Sequence, residues 1–334
     1  MKSSLGLDPE LEAADPALIE DMRVGMDAVE TLLIDALKSD YPFVTETSRH
    51  LVEAGGKRFR PLLVLLASHF GNPHAPGIPA AAVVCELTHL GTLYHDDVMD
   101  EATMRRGAQS ANSRWGNTIA ILTGDFLFAR ASDLLADLGP ECVRIQARTF
   151  ERLCTGQIRE TVGPSEHDDP LEHYMQVVAD KTGALIATCA RFGSMLAGAD
   201  EQVVDQLTRF GERIGIAFQL SDDLLDVAST SDESGKTPGT DLREGVPTLP
   251  VLHALASTDP ADARLQELLG APLIDDALHA EALGLLRAHP AMDQARADVQ
   301  AWADDARGVL AGLPDVPARA ILEFLCDAVV DRSV

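Results

Sequence analysis

Apolar residues recur at helical spacing along almost all of this chain, and strand signals are scarce. Ala, Leu and Val return every three to four residues over 17–38, 43–54, 60–70, 78–101, 117–137, 141–160, 171–198, 201–228, 248–257, 278–288, 293–312 and 317–330. Alternating β-branched and aromatic runs are missing, and aromatics make up only 4% of the residues. Breaks fall at Asn72-Pro73, Gly139-Pro140, Gly163-Pro164, Gly235–Gly245, Pro272 and Pro314. No linker divides the chain into compositional halves, and 46% of its 334 residues are hydrophobic, ample for a large core. The spacing therefore predicts an all-α fold, a single-domain bundle of about 10–13 helices, despite a length that would allow two domains. The motif-bearing core lies at about 45–255, followed by C-terminal helices over 256–334.

Within this helical background the pattern Asp-Asp-x-x-Asp occurs twice, as Asp96-Asp97-Val98-Met99-Asp100 and Asp222-Asp223-Leu224-Leu225-Asp226. Each copy ends an apolar helical stretch. Residues i and i+4 share a helix face, so Asp96 aligns with Asp100 and Asp222 with Asp226. Carboxylates crowded on one face repel unless cations bridge them. Hard oxygen donors suit Mg²⁺, which keeps several waters and is completed by substrate phosphates. The two motifs read as two walls of one central cavity that holds metal ions and a diphosphate. Three other Asp-Asp pairs (Asp168-Asp169, Asp275-Asp276, Asp304-Asp305) lack the fourth-residue partner and read as solvated helix ends.

The formal net charge is -26, which excludes nucleic acid as a natural partner. An acidic chain that handles an anionic substrate needs metal ions and a few placed cations. Lysines are rare, and three of them fall in Gly-containing segments: Gly55-Gly56-Lys57-Arg58, Asp180-Lys181-Thr182-Gly183 and Ser234-Gly235-Lys236-Thr237. In Gly55–Pro61, glycines allow backbone N–H groups to approach a phosphate, and Pro61 suits the first turn of the next helix. Lys57 and Arg60 are placed to clamp a diphosphate there. Arg105-Arg106-Gly107 follows the first acidic motif, one arginine facing the metal-bound substrate and the other a second anion. Gln219 precedes Asp222, Asp223 and Asp226 on one helical face; His89, Thr92, Asp96 and Asp100 form a similar line. His89 taken alone reads equally well as a satisfied core histidine. The pair His95-Asp96 is shared with metal-dependent phosphohydrolases, but matching histidines are missing. Five cysteines (85, 142, 154, 189, 326) show no metal spacing and read mostly as buried thiols. The acidic start (Asp8, Glu10, Glu12, Asp15) carries no secretory signal, and apolar runs such as 62–67 are too short for a bilayer. A soluble, cytoplasmic protein is expected.

Taken in order, GGKRFRP (55–61), HDDVMDEATMRRG (95–107), GDFLFARA (124–131), KTG (181–183), FQLSDDLLD (218–226) and the GK…DL..G.PTLP segment (235–250) resemble the trans-isoprenyl diphosphate synthases of the polyprenyl synthetase family. The resemblance implies the isoprenoid-synthase type of helical fold with a deep cavity, a homodimer, and head-to-tail condensation of isopentenyl diphosphate with an allylic diphosphate. It implies Mg²⁺ as cofactor, about three ions with substrate bound. Asp96, Asp100 and Asp222 become the principal ligands, with Asp97, Asp223 and Asp226 direct or water-mediated. Arg105, Lys181, Thr182, Gln219 and Lys236 are implied to hold the allylic diphosphate, and Lys57, Arg60, His89 and Arg106 isopentenyl diphosphate. The catalytic set on this reading is Asp96, Asp100, Arg105, Lys181, Gln219 and Asp222. One departure stands out: Val246 replaces a lysine common in the family, so that contact is missing or supplied by another residue, with Arg243 a candidate.

A helix descends about 5.4 Å per turn from Asp96, so Thr92, Gly91, Thr88 and Val84 should line the growing chain. In the family a bulky residue there makes a floor. The small residues here predict an open tunnel and a long product, about C30–C50, with a C15–C20 farnesyl or geranylgeranyl synthase as the alternative. A terpene cyclase would lack the Lys57/Arg60 site for a second diphosphate, and a non-catalytic subunit of a heteromeric synthase would lack the acidic motifs. Besides the two diphosphates and a second copy, transient membrane contact during product release is the only further partner expected.

Overall fold

The computed structural model describes residues 15–229 and 238–332; Lys236 and its neighbours lie outside that range. The described chain is helical apart from one short hairpin. In order it forms α1 (Pro16–Ala36), α2 (Pro42–Glu53), α3 (Phe59–Ser68), α4 (Ile78–Met99), a hairpin of β1 (Met104–Arg105) and β2 (Ala108–Gln109), α5 (Ala111–Trp115), α6 (Asn117–Leu138), α7 (Pro140–Val162) and α8 (Pro170–Val178). A π-helical turn over Ala179–Gly183 leads into α9 (Ala184–Leu196) and α10 (Glu201–Ala228). Then come α11 (Thr240–Glu244), α12 (Leu249–Leu255), a 3₁₀ turn (Pro260–Asp262), α13 (Ala263–Leu269), α14 (Asp276–Arg287), α15 (Ala291–Leu310) and α16 (Pro317–Asp331). Helix starts follow local chemistry. Asp15 and Asp169 accept from backbone N–H groups of the first turn, each followed by a proline that lacks the donor a first-turn residue would waste.

The periodic segments coincide with the long helices to within a few residues. Three short helices, α5, α11 and α13, escape periodicity because a turn or two holds too few apolar positions. The segment 171–198, read as one helix, is interrupted by the π-helical turn. The hairpin also escaped: its register pairs Met104 with Gln109 and Arg105 with Ala108. Arg106 (φ 53°) and Gly107 (φ 76°) take the two left-handed positions of a two-residue turn. Four cysteines are buried and Cys154 is exposed. Among the described residues no helix is long and apolar enough to cross a membrane.

The helices gather into two compact units. The first comprises the described residues of 1–149, 186–208 and 313–321. Its core is built on α4, whose Ala81, Val83, Val84, Leu87, Leu90 and Tyr94 are fully buried. Two glycines bring α4 and α6 together. A Cβ on Gly124 would fall 2.4 Å from His95 Nε2, and one on Gly91 would fall 2.8 Å from the Phe128 ring. Tyr94 ties α2 to the same helix, its hydroxyl donating to the Thr47 carbonyl at 2.5 Å. Glycine likewise seats α9 on α3, where a Cβ on Gly193 would meet the Val64 carbonyl oxygen at 2.1 Å.

The second unit comprises the described residues of 150–185, 209–312 and 322–334. Arg152 on α7 reaches both Asp180 in the π-helical turn and Glu212 on α10, each at 2.8 Å. Gly156 lets α7 approach that turn, since a Cβ there would lie 2.8 Å from the Lys181 backbone nitrogen. His253 on α12 bonds Asp298 on α15 at 2.7 Å, and the Ser221 hydroxyl donates to the Val329 carbonyl at 2.9 Å.

Gly193→Ala forces backbone against backbone and should destabilise the fold by about 1–3 kcal/mol. Gly284 in α14 has nothing within 4 Å of its Cβ position, so Gly284→Ala should be neutral or stabilise by up to about 1 kcal/mol. Thermal denaturation of the two variants checks the contrast, and equal melting temperatures would contradict the close α3–α9 contact.

Candidate active site

The first acidic motif closes α4. Asp96 is half-buried and Asp100, at the C-cap, is exposed. Asp97 points the other way. It is fully buried, its Oδ1 accepting from Arg105 Nε at 2.6 Å, while its Oδ2 has no partner. Burial lifts the Asp97 pKa above the ordinary carboxylate range against the pull of Arg105. Arg105 also lies 3.9 Å from Asp100, so this arginine belongs to the acidic cluster. Arg106 leaves in another direction: its Nη1 donates to the carbonyls of Leu51 at 2.9 Å and Gly55 at 2.5 Å. The left-handed turn at Arg106-Gly107 is what separates the two side chains.

The second motif ends α10 and repeats the division. Asp223 is buried, accepting from the Tyr174 hydroxyl and from Gln219 Nε2 at 2.9 Å. Burial, reinforced by Asp222 and Asp226, pushes its pKa up to about 7 against those two hydrogen bonds. Asp222 is half-exposed and paired with Arg332 at 2.5 Å, whose guanidinium also stacks on Phe218. Asp226 accepts from the backbone N–H groups of Thr240 and Asp241. Gln219 Oε1 accepts from the Thr182 hydroxyl at 2.9 Å. Thr182, Gln219 and Asp223 are thereby joined in one chain of hydrogen bonds, and the π-helical turn presents Thr182 and Lys181 there. Lys181 bonds Glu160. Arg243 bonds Asp276, which commits the candidate substitute for the missing lysine at Val246. Lys236 lies outside the described residues.

The remaining basic residues gather in the first unit. Lys57 is exposed. Arg60 is half-buried with its Nε enclosed and unbonded. His89 lies among arginines: burial first, then Arg60, Arg106, Arg105 and Arg58, hold its pKa well below the ordinary imidazole value. His95 turns to the Ile121 carbonyl at 3.1 Å and to Asp125 at 3.5 Å.

The stripe below Asp96 differs from the expectation of open space. Val84 and Thr88 are fully buried, and Thr88 bonds both the Val84 carbonyl and Gln146. Gly91 faces the Phe128 ring, so its small size serves the α4–α6 contact and admits an aromatic from the neighbouring helix. Thr92 is half-buried, its hydroxyl satisfied by the His89 carbonyl. Sequence reading also passed over Arg58, Glu86, Tyr174 and Arg332. Arg58 and Arg332 had only their charge as a signal. Glu86, a single acid in the otherwise apolar run 81–88, was the legible one.

Among the described residues no three acidic, histidine or cysteine side chains converge into a ready-made metal cage. Mg²⁺ takes one or two carboxylates and completes its shell with water and phosphate oxygens. Asp96 with Asp100 in one unit and Asp222 in the other are the all-oxygen donors of the right hardness; Asp97 and Asp223 are already spoken for by Arg105, Tyr174 and Gln219.

A depressed imidazole pKa means that unfolded chains take up a proton near pH 6.5 while folded His89 stays neutral. Stability contributed by this site should therefore fall as the pH drops below about 6.5. The ring resonances of His89, followed by NMR, should titrate well below 6.5, and inorganic diphosphate should move the midpoint upward by offsetting the arginines. An ordinary midpoint would refute the enclosed cationic pocket.

Known proteins resemble the chain over most of its length. Residues 41–285 match the polyprenyl synthetase family. The chain is 50% identical over 323 residues to nonaprenyl diphosphate synthase of Mycobacterium tuberculosis, covering 96% of both. Its fold superposes on decaprenyl diphosphate synthase from Rhodobacter capsulatus with a TM-score of 0.86 at 35% identity, covering 95% of this chain and 98% of that one. It also superposes on geranylgeranyl pyrophosphate synthase from Corynebacterium glutamicum, solved with calcium and isoprenyl diphosphate, with a TM-score of 0.84 at 45% identity and 98% coverage of each. With two acidic motifs, a separate cationic pocket and a family match across most of its length, this chain belongs to the polyprenyl synthetase family.

Proposed function

We propose that the chain is a Mg²⁺-dependent trans-prenyltransferase that condenses isopentenyl diphosphate head-to-tail with an allylic diphosphate to give a long-chain polyprenyl diphosphate. The observation that carries this reading lies within the first unit: α4 carries an acidic cluster (Asp96, Asp100) at its end and, two turns earlier, His89 with Arg60 and Arg106 gathered around it. One diphosphate held through metal and one held by side chains are what a condensation of two diphosphates needs, whereas a cyclase needs only the first.

In the reaction the allylic C–O bond breaks and its electron pair leaves with diphosphate. The double bond of isopentenyl diphosphate supplies electrons to the cationic carbon, and a proton is then lost, with the released diphosphate as acceptor. Mg²⁺ bound to the acidic clusters supplies charge stabilisation for the departing diphosphate; we assign about three ions to the substrate-bound state. In the second unit Lys181, Thr182 and Gln219 are assigned to the allylic diphosphate. In the first unit Lys57, Arg60, Arg106 and neutral His89 hold isopentenyl diphosphate, the histidine as a hydrogen-bond donor without added charge. Fixing both anions orients the nucleophilic double bond and removes much of the entropic cost of the encounter.

The long product rests on the 50% identity to a nonaprenyl diphosphate synthase and on the small residues Thr92 and Gly91 at the fourth and fifth positions before Asp96. The family match, which runs through segments of both units, supports reading the chain as one functional domain. Exposed Ile121 and Leu122 on α6 and Val143 on α7 support a homodimer. We place the enzyme in the cytoplasm, with membrane contact at product release.

Asp96→Ala and Asp222→Ala should each lower turnover by orders of magnitude with the fold intact, because each removes a charge needed when metal and diphosphate are present. Lys57→Ala should mainly raise the KM for isopentenyl diphosphate. Near-wild-type turnover in either aspartate variant, with folding verified by circular dichroism, would sink the assignment.

Sizing the products made from labelled isopentenyl diphosphate should give chains of about C30–C50. Thr92→Phe places a ring about one turn below Asp96 and should shift the distribution toward shorter chains while the first condensation stays fast. A wild-type product of C15 or C20 would refute the long-chain reading.

A further inference from the structure

Glu86 is a carboxylate inside the core of the first unit. Only 2% of it is exposed, and it sits three residues before His89 on α4, on the same helix face. A buried carboxylate is costly unless cations meet it. Here the cations come from two loops. Arg58 places Nη1 3.5 Å from Glu86 Oε1. It reaches there from a left-handed backbone (φ 49°), with its Nε anchored to Glu30 at 2.5 Å and Nη2 on the Val52 carbonyl at 3.3 Å. Arg106 arrives beside it. A Cβ on Gly56 would lie 2.8 Å from Arg58 Nη1 and 2.9 Å from Arg106 Nη1, so the two guanidiniums share one small space that only a glycine leaves open. Arg60 completes the group, and Glu86 is the opposite charge that acts most strongly on both Arg60 and Arg106.

Three arginines against one buried acid leave surplus positive charge, which suits an anion. Without the acid, three guanidiniums in a poorly solvated pocket would repel one another and swing toward water. We propose that Glu86 is a positioning residue: it touches no substrate, and holds Arg58, Arg60 and Arg106 in the array that receives the diphosphate of isopentenyl diphosphate. This rests on the assignment of that pocket under the proposed function. Arg58 takes the part of an internal strut, tied to Glu30 and Glu86, while Arg60 and Arg106 face the ligand.

The test is Glu86→Gln, which keeps shape and removes charge. A carboxylate that merely repelled the anion would, when neutralised, leave isopentenyl diphosphate bound more tightly. A positioning carboxylate predicts the opposite: KM for isopentenyl diphosphate raised about tenfold or more, KM for the allylic primer within about twofold, and calorimetric binding of isopentenyl diphosphate weakened in parallel. Glu86→Asp keeps the charge at shorter reach and should lie between. If Glu86→Gln does not fold, Glu86→Asp carries the test through a severalfold rise in the same KM. Tighter or unchanged binding in the folded variants would overturn the inference. Lys57→Ala run alongside separates the two readings: if it too leaves the KM for isopentenyl diphosphate unchanged, the pocket assignment fails, whereas a rise there with Glu86 silent removes only the role of Glu86.

Discussion

The cost of placing charge inside a helical protein governs how this site is built. Asp97, Glu86, Asp180 and Asp223 are all buried, and each meets a guanidinium, hydroxyl or amide. Arg105 meets Asp97, Arg58 meets Glu86, Arg152 meets Asp180, and Tyr174 with Gln219 meets Asp223. Arg58 comes from the loop before α3, Arg105 from the hairpin, and Asp180 itself sits in the π-helical turn, so three of these contacts fall where the helices are interrupted. A buried ion pair adds little net stability, but it penalises any arrangement that separates the partners. The interruptions are thereby held in one conformation each.

This explains the division of labour inside the two acidic motifs. Adjacent residues on a helix point about 100° apart, so the two leading aspartates of each motif cannot share a role. In both copies the second turns into the protein, Asp97 onto Arg105 and Asp223 onto Tyr174 and Gln219, while the first and last remain nearer solvent. The buried member orients the helix end and, in the first copy, fixes the arginine that lies beside Asp100. Of the outer members Asp100 is exposed, and Asp96, Asp222 and Asp226 are half-buried. A motif that looks like three equivalent carboxylates is two kinds of residue.

Close helix packing provides the second constraint. Gly91, Gly124 and Gly193 remove side chains where backbones or rings must approach, the first two at the contact of α4 with α6 and the third at that of α9 with α3. The lower half of α4 is packed by Phe128, Gln146 and neighbouring apolar residues. The acidic end of α4 is consequently mounted on a rigid stem, and its carboxylates inherit their positions from apolar contacts well below them.

Helix content and most long helix boundaries were legible in the chain, because a 3.6-residue apolar period is a local property that burial of one face imposes everywhere. The acidic pairs, Lys57, Arg60 and the basic dipeptide were legible for a similar reason: their spacing is short and their chemistry unusual against an apolar background. The hairpin at 104–109 and the π-helical turn were not, since a pair of two-residue strands and one extra residue in a helical turn leave no periodic trace. Nor could spacing reveal that Gly91 faces a phenylalanine, that Arg105 and Arg106 part company, or that Glu86 faces arginines from two distant loops. Those facts depend on which surfaces meet after folding. Local periodicity and residue chemistry decide which groups are available; only tertiary packing decides which of them are neutralised in the interior and which stay open to a ligand.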